Sequence, residues 1–247
     1  GVRFSPAIRF AFSDTFKPYL SLPVTYLWVD KNDRARHTEN AREYWLFAPN
    51  LSFDYPINTR ITLYGNAGFN NNIGGMREDL LGYMMTTYRN LNRNDGLQSK
   101  NATANAYVTL NYRNPFTTLF MSLRANWMNQ WRNMLYDTRY NGILSSAQGV
   151  RHPHSAQNYG LSASIGKSID AIRSEVMLNG DYRKSKSIAF NQGVISPYTS
   201  DTYRISTSIT TDIGRVLIVK YTNSYAQNCF AINKHRLKPM HYFEQGL

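Results

Sequence analysis

The sequence predicts an all-β fold: an antiparallel, up-and-down transmembrane β-barrel with about ten strands in view. Three observations predict it. Runs of about ten residues alternate apolar and polar, the period of two that sends side chains to opposite faces of a strand. Tight turns and long polar segments join the runs in strict alternation, the connection asymmetry of barrels in an outer membrane. Aromatic residues gather near the ends of the runs, where amphipathic rings favour the lipid headgroup level.

The first span covers 2–12, with Val2, Phe4, Ile8, Phe10 and Phe12 on one parity and Arg3, Ser5, Arg9 and Ala11 on the other. Residues 13–17 make a tight connection. The second span, 19–29, sets Leu20, Leu22, Val24, Tyr26 and Trp28 against Ser21, Pro23 and Thr25. Pro6 and Pro23 lack an N–H, which predicts bulges or irregular pairing at both. A charged segment, 30–42, follows. The third span, 44–55, carries Trp45, Phe47, Leu51, Phe53 and Tyr55 on one side, and 56–59 turn the chain. The fourth opposes Ile61, Leu63, Ala67 and Phe69 to Arg60, Thr62, Tyr64 and Asn66. A very long segment, 70–101, comes next, with room for a strand at 83–88.

The fifth span is the most regular: Ala102, Ala104, Ala106, Val108, Leu110 and Tyr112 against Thr103, Asn105, Tyr107, Thr109 and Asn111. After the turn at 113–116, the sixth opposes Leu119, Met121, Leu123, Ala125 and Trp127 to Thr118, Ser122, Arg124 and Asn126. A loop over 132–156 holds His152 and His154. The seventh span carries Tyr159, Leu161, Ala163 and Ile165, and the eighth Val176, Leu178 and Tyr182. A loop over 184–201 separates them from the ninth, with Tyr203, Ile205 and Ile209. A short turn at 212–215 leads to the tenth, with Leu217, Val219 and Tyr221. Residues 227–247 read as loop with the start of a further strand.

Composition agrees with this layout. The mean hydropathy of −0.48 would contradict a bundle of membrane helices. It suits a barrel, in which only alternate strand residues meet lipid and the loops are wet. No run of 18 apolar residues supplies a transmembrane helix. Cys229 is the single cysteine, so an internal disulfide is excluded. The chain is expected to be a single domain over 1–247. It starts in strand register at Gly1-Val2-Arg3-Phe4 without a signal segment, which reads as a cleaved product or an internal piece of a longer barrel.

The formal charge is +12. Arg3, Arg9, Arg60, Arg124, Arg183, Arg204 and Lys220 all sit on the polar parity, which this reading turns toward the lumen. Such a wall either favours anionic solutes and an acidic plug, or is simply hydrated. Lys31, Arg34, Arg36 and Arg42 form a loop patch suited to anionic lipopolysaccharide. The basic residues are spread through strands and loops, which argues against a nucleic-acid module. No cofactor or metal site is expected: phosphate loops, zinc-protease motifs and nucleophile elbows are missing, and His152 and His154 lack a third ligand nearby in sequence. No enzyme activity is expected. Asn101-Ala102-Thr103 fits a glycosylation sequon but enters a strand.

The stretch Asn50-Leu51-Ser52-Phe53-Asp54-Tyr55-Pro56-Ile57-Asn58 with Ile61-Thr62-Leu63-Tyr64 resembles the strand–turn–strand before a long loop in TonB-dependent outer-membrane receptors and related barrel families. Tyr88-Arg89-Asn90-Leu91-Asn92, then 101–112 and Arg113-Asn114-Pro115, resemble the loop and hairpin that follow. The resemblance implies a 22-stranded barrel with a plug, driven from the inner membrane, that takes up siderophores, glycans, peptides or vitamins. The present chain departs in strand number, in lacking a plug and TonB box, and in its terminus Glu244-Gln245-Gly246-Leu247. It is read as a barrel segment without the plug, in the outer membrane of a Gram-negative bacterium. Its expected partners are outer-membrane lipid and lipopolysaccharide, a plug domain, an energy-coupling protein, a surface lipoprotein and a small-molecule, glycan or peptide substrate. Arg34, Arg77, Arg89, Trp131, Tyr136, His152 and Tyr198 are the loop candidates for substrate contact. A passive or structural barrel, for assembly or adhesion, is the alternative.

Overall fold

The computed structural model describes residues 1–33, 38–75, 82–93, 97–213 and 217–246, with the side chains of 31–33 and 38–40 left aside. Alternation becomes strand almost throughout. β1 (Val2–Phe4) and β2 (Ala7–Arg9) form the first span, β3 (Tyr19–Ser21) and β4 (Val24–Asp33) the second, β5 (Thr38–Phe47) and β6 (Asn50–Pro56) the third. β7 (Ile61–Ile73) is the fourth. β8 (Tyr83–Thr87) and β9 (Asn90–Arg93) pair as a hairpin inside the long connection. Then come β10 (Lys100–Asn114), β11 (Leu119–Asn141), β12 (Leu144–Ile169), β13 (Ser174–Asn191), β14 (Val194–Ile213) and β15 (Leu217–Ile232). β16 (His235–Arg236) and β17 (Met240–Gly246) both return onto β15.

Neighbours along the main wall are antiparallel and follow chain order: β17, β15, β14, β13, β12, β11, β10, β7, β6, β3, β2, with β1, β4 and β5 in a three-stranded sheet. Among the described residues β2 and β17 do not meet, so the wall is an open arc.

Register keeps each parity on one face across every strand. One row runs Tyr55, Leu63, Leu110, Leu123, Ala163, Gly180, Ile205, Tyr225 and Phe243. One residue away runs Asp54, Tyr64, Thr109, Arg124, Ser162, Asp181, Arg204, Ala226 and Tyr242. The apolar row is not a core. Leu123 is 47% exposed, Leu178 46% and Ile205 57%. Among the described residues the buried apolar side chains are Met134, Leu135 and Ala156. The chain exposes 17091 Å², against roughly 11,000 Å² for a compact soluble protein of this mass. A face this apolar and this open needs a non-aqueous solvent, and a bilayer supplies one.

Rings mark the edges of that solvent. Tyr26 and Trp45 lie 4.9 Å apart, Phe69 and Trp131 6.4 Å, and Tyr182 and Tyr203 4.9 Å, toward the long-connection end. Phe12, Phe16 and Tyr55 gather at the short-turn end, Phe16 and Tyr55 at 5.4 Å. On β11 the interval from Met121 to Trp131 matches the ~9–11 residues with which a tilted strand crosses a bilayer.

The prolines are aligned. The carbonyl of Pro6 accepts from the Leu22 N–H, that of Pro23 from Ala48 and that of Pro49 from Phe69, each at 2.9 Å. Each proline breaks its own strand, and its neighbour's break sits beside it. The sequence signals at Pro6 and Pro23 thus belong to one diagonal seam, completed by Pro49. Above the seam β5 leaves β7, and the Asn71 side chain bridges the gap: its Oδ1 accepts from the Phe47 N–H at 2.5 Å, and its Nδ2 donates to the Trp45 carbonyl at 3.3 Å.

Three predicted loops are instead strand. Residues 132–141 extend β11, and β12 resumes at Leu144. Most of 184–201 belongs to β13 and β14, which meet at a two-residue turn. Gln192 and Gly193 there have φ of 51° and 81°, the left-handed pair of a type I′ hairpin. Most of 227–246 is β15, its Asn233-Lys234 turn (φ 51° and 69°) and β17. In the first two cases hairpin pairing continues past the lipid-crossing rows, whereas β17 crosses beside β15, with Phe243 in the row of Tyr225 and Ile205.

Two outcomes test this wall. Leu123→Arg should cost about 2–4 kcal/mol on the lipid face, whereas Ser162→Arg, beside it on the polar face, should cost far less; urea unfolding in detergent or lipid measures both. A Cβ on Gly65 would come 2.7 Å from the Phe53 ring, which lies across that glycine. Gly65→Val should therefore cost about 1–3 kcal/mol by overpacking, read in the same assay.

Candidate functional site

The polar face gathers a part of the predicted basic set. Arg124, Arg183 and Arg204 stand around Asp181 on β11, β13 and β14, with Arg204 directly opposite Asp181 in the ladder. The Arg124 guanidinium lies over the Tyr107 ring at 4.3 Å, a cation–π contact. Arg204 reaches Glu244 on β17 at 3.9 Å; the Lys184–Asp201 pair, at 3.6 Å, is on the opposite parity with Tyr182 and Tyr203. Amides fill the space between charges. Asn66 Nδ2 donates to Asn50 Oδ1 at 2.6 Å. The Asn126 amide lies against Gly160, where a Cβ would collide with its Oδ1. The result is a groove of about 780 Å³ bounded by Asn105, Arg124, Asn158, Asp181 and Arg183.

The other predicted basic residues lie apart from this groove. Arg3 is on β1, its Nε donating to Ser5 Oγ at 3.2 Å. Arg9 is on β2 opposite Tyr19, Arg60 is in the turn before β7, and Lys220 is on β15 opposite Thr210.

At the long-connection end the hairpins cross. A bulge between Arg132 and Met134 lets the β11–β12 ribbon turn away from the wall. The tip of β13–β14 then reaches the free edge of β11. The Gln192 N–H donates to the Thr138 carbonyl at 3.0 Å, and the Gly193 N–H donates to Asp137 Oδ1 at 2.9 Å. Arg139 Nε donates to Asp137 Oδ2 at 2.8 Å, and the Asp137 side chain is 2% exposed. From the opposite direction β9 pairs in parallel with Ser145–Gln148 of β12. The Gly193 N–H, then the Arg139 guanidinium, hold the Asp137 carboxyl below the usual carboxylate range.

Beneath this latch is a cavity of about 380 Å³ between the wall and the β13–β14 hairpin. Asn101, Gln130, Arg132, Tyr136, His154 and Tyr198 are among its lining residues. Arg132 Nη2 donates to Gln130 Oε1 at 2.7 Å. The cavity thus offers phenols, amides, one guanidinium and one imidazole.

The loop candidates therefore divide. Tyr136 and Tyr198 meet in this cavity, though on strands rather than loops. His152 is also on a strand; its ring stacks with His154 at 6.4 Å, and its carbonyl contacts His154 Nδ1 at 3.0 Å. Among the described residues no group of three ligating side chains could hold a metal. Trp131 is on the apolar face beside Phe69, not in a loop over the lumen, because register fixes its parity with Leu123 and Trp127. Arg89 is in the β8–β9 turn, its guanidinium 4.7 Å from the centre of the Tyr88 ring. Arg34 and Arg77 lie outside the described residues. Sequence reasoning missed His154 and Arg132 as cavity residues and Asp137 as the latch. The Gly142-Ile143 and Gln192-Gly193 pairs were the available signal, since both are two-residue hairpin turns.

Comparison with solved structures places this arrangement. The chain matches the ferric yersiniabactin uptake receptor FyuA from Yersinia pestis with a TM-score of 0.57 and 10% identity, covering 99% of this chain and 40% of that one. It matches the closed form of the ferric-catecholate import receptor Fiu from E. coli K12 with a TM-score of 0.60 and 10% identity, covering 99% and 44%. The fold is that of an outer-membrane receptor barrel. The outer membrane transporter YddB from Escherichia coli matches as well, with a TM-score of 0.56 and 9% identity, over 98% of this chain and 34% of that one. This chain therefore spans less than half the length of these receptors, and its open arc has the fold of part of such a wall. No protein-family model and no curated protein matches the sequence. The resemblance to TonB-dependent receptor barrels holds at the level of fold.

The latch carries a pH prediction. A carboxyl held low in the folded state contributes stability above its ordinary range and loses it as pH falls through the lowered value. Amide protection at Gln192 and Gly193, taken relative to the intrinsic exchange rate at each pH, should stay high at neutral pH and fall only below the ordinary carboxylate range. Asp137→Ala should show the lowered protection at neutral pH.

Proposed function

We propose that this chain is wall of a nutrient-uptake receptor in a Gram-negative outer membrane, binding solute beneath the crossed hairpins and passing it along the basic, amide-lined face. The observation that carries the reading is the latched cavity at the head of the Arg124–Asp181–Arg183 groove. A permanently open pore gains nothing from a hairpin folded over its mouth. A receptor that captures solute and then releases it inward needs such a chamber.

The lining supports a class of solute rather than a name. Tyrosine rings offer flat apolar contact with a hydroxyl at the edge, asparagine and glutamine offer paired donors and acceptors, and Arg132 offers a planar cation. Small chelates, glycans and short peptides with anionic or hydroxyl groups suit that set. In this reading a plug domain occupies the lumen against the basic wall, and an energy-coupling protein acts on it from the periplasm. A surface lipoprotein and lipopolysaccharide are the candidate partners at the outer rim.

A passive or structural barrel is the rival. Planar-bilayer recording of the full-length protein separates the two: uptake receptors should hold no steady open conductance, and a passive barrel should. Uptake of radio-iron chelates of catecholate and hydroxamate type, with oligosaccharides and peptides as parallel probes, then tests the site. Tyr136→Ala with Tyr198→Ala should raise the half-saturating concentration of the transported probe about tenfold, as loss of about 1.4 kcal/mol would, and leave maximal uptake little changed. Steady conductance, or unchanged half-saturation, would sink the reading.

A further inference from the structure

We propose that the seam between β5 and β7 is a binding site for a phosphorylated glycolipid of the outer leaflet; this rests on the outer-membrane reading above. Where β5 leaves β7 above Pro49, a cleft of about 740 Å³ opens, within the ~300–1,000 Å³ range of small-molecule sites. It lies on the apolar face. Its floor follows the ladder row Asn71, Ala102, Trp131, with Ser155 beyond. Trp45 stands on the β5 side, 59% exposed, and Trp131 on the β11 side, 42% exposed. Two tall indoles flanking a floor of small residues form a slot of acyl-chain width, and both rings belong to the girdle at the headgroup level.

The far end of the slot is cationic. Lys100 is exposed, and its ammonium lies 5.8 Å from the centre of the Tyr44 ring. The polar groups around it are already engaged. Asn133 accepts from the Lys100 N–H at 2.6 Å and donates to the Gln98 carbonyl at 3.2 Å, and the Tyr44 hydroxyl donates to Gln98 Oε1. The carboxylate in the lining, Glu43, takes a hydrogen bond from the Tyr26 side chain on β4. Arg132 and His154 also line the cleft but share the parity of Asn101, opposite to that of Ala102 and Trp131. On the apolar parity the Lys100 ammonium is the cation, set where a headgroup phosphate sits once a chain fills the slot. The occupant must be lipid, because this parity faces hydrocarbon. It must come from the outer leaflet, because the cleft is at the long-connection end.

Native mass spectrometry of the full-length protein, extracted from outer membranes and exchanged into fresh detergent, tests the assignment. The wild type should retain one glycolipid mass, and Lys100→Glu and Ala102→Phe should each lower that occupancy at least fivefold. Retained heat-modifiable mobility on gels certifies that the variants fold, and Ser162→Ala on the other face should leave occupancy unchanged. Equal occupancy in all forms, a glycerophospholipid in its place, or no retained lipid would overturn the site while leaving the uptake reading standing. Recovery of the protein outside the outer-membrane fraction would overturn both.

Discussion

Everything in this wall depends on the backbone ladder. Water cannot reach a peptide group inside hydrocarbon, so each N–H and C=O must find a partner on the next strand. That requirement locks the register, and register decides chemistry. A slip of one residue on β14 would carry Arg204 into lipid and Ile205 into the lumen. The same alternation that looks modest in any one strand is therefore enforced by its neighbours on both sides. This is why the faces can be followed from Tyr55 to Phe243 without a break.

The proline seam shows how far that requirement can be relaxed. Pro6, Pro23 and Pro49 each withhold an N–H, yet each still offers its carbonyl to the adjacent strand. Grouped along one diagonal, the interruptions share one line of weakness instead of making several. Where even this fails, between β5 and β7, a side-chain amide takes over: Asn71 provides both an acceptor and a donor in place of a peptide. Parity survives the breaks, since Phe47 and Leu51 remain on the same side. The seam alters the spacing of strands without exchanging their faces.

The fold was legible because period two is a local signal. Val108, Leu110 and Arg124 each announce their face within a few residues, and tight turns such as 56–59 announce the hairpins. The extent of the strands was not legible by polarity. Beyond the lipid both faces of a ribbon are wet, so Ser185, Ser187, Thr199 and Asp201 read as loop although they are paired. Turn chemistry held that information instead, at Gly142-Ile143 and Gln192-Gly193. The site was legible only in part. Tyr136 and Tyr198 stand far apart in sequence, and their meeting depends on a bulge near Arg132 and on the return of a hairpin tip. Asp137 gave little sign: Arg139 stands two residues away, but the contact that makes the latch is the Gly193 backbone N–H, and backbone groups carry no sequence.

The latch also explains where ordinary burial occurs. Met134 and Leu135, two of the three buried apolar side chains among the described residues, sit beside Asp137 where the hairpins cross. In the lipid-facing wall, burying apolar side chains within the protein would gain little, since hydrocarbon already surrounds them. Above the bilayer the solvent is water again, and the hydrophobic effect returns as a force that can hold one hairpin against another. The chain thus follows two rules of stability in sequence along each long strand: ladder pairing with an apolar exterior below, and packed contacts with a buried carboxylate above. The contacts that close the crossing hairpins belong to the second rule, and the wall depends on the first.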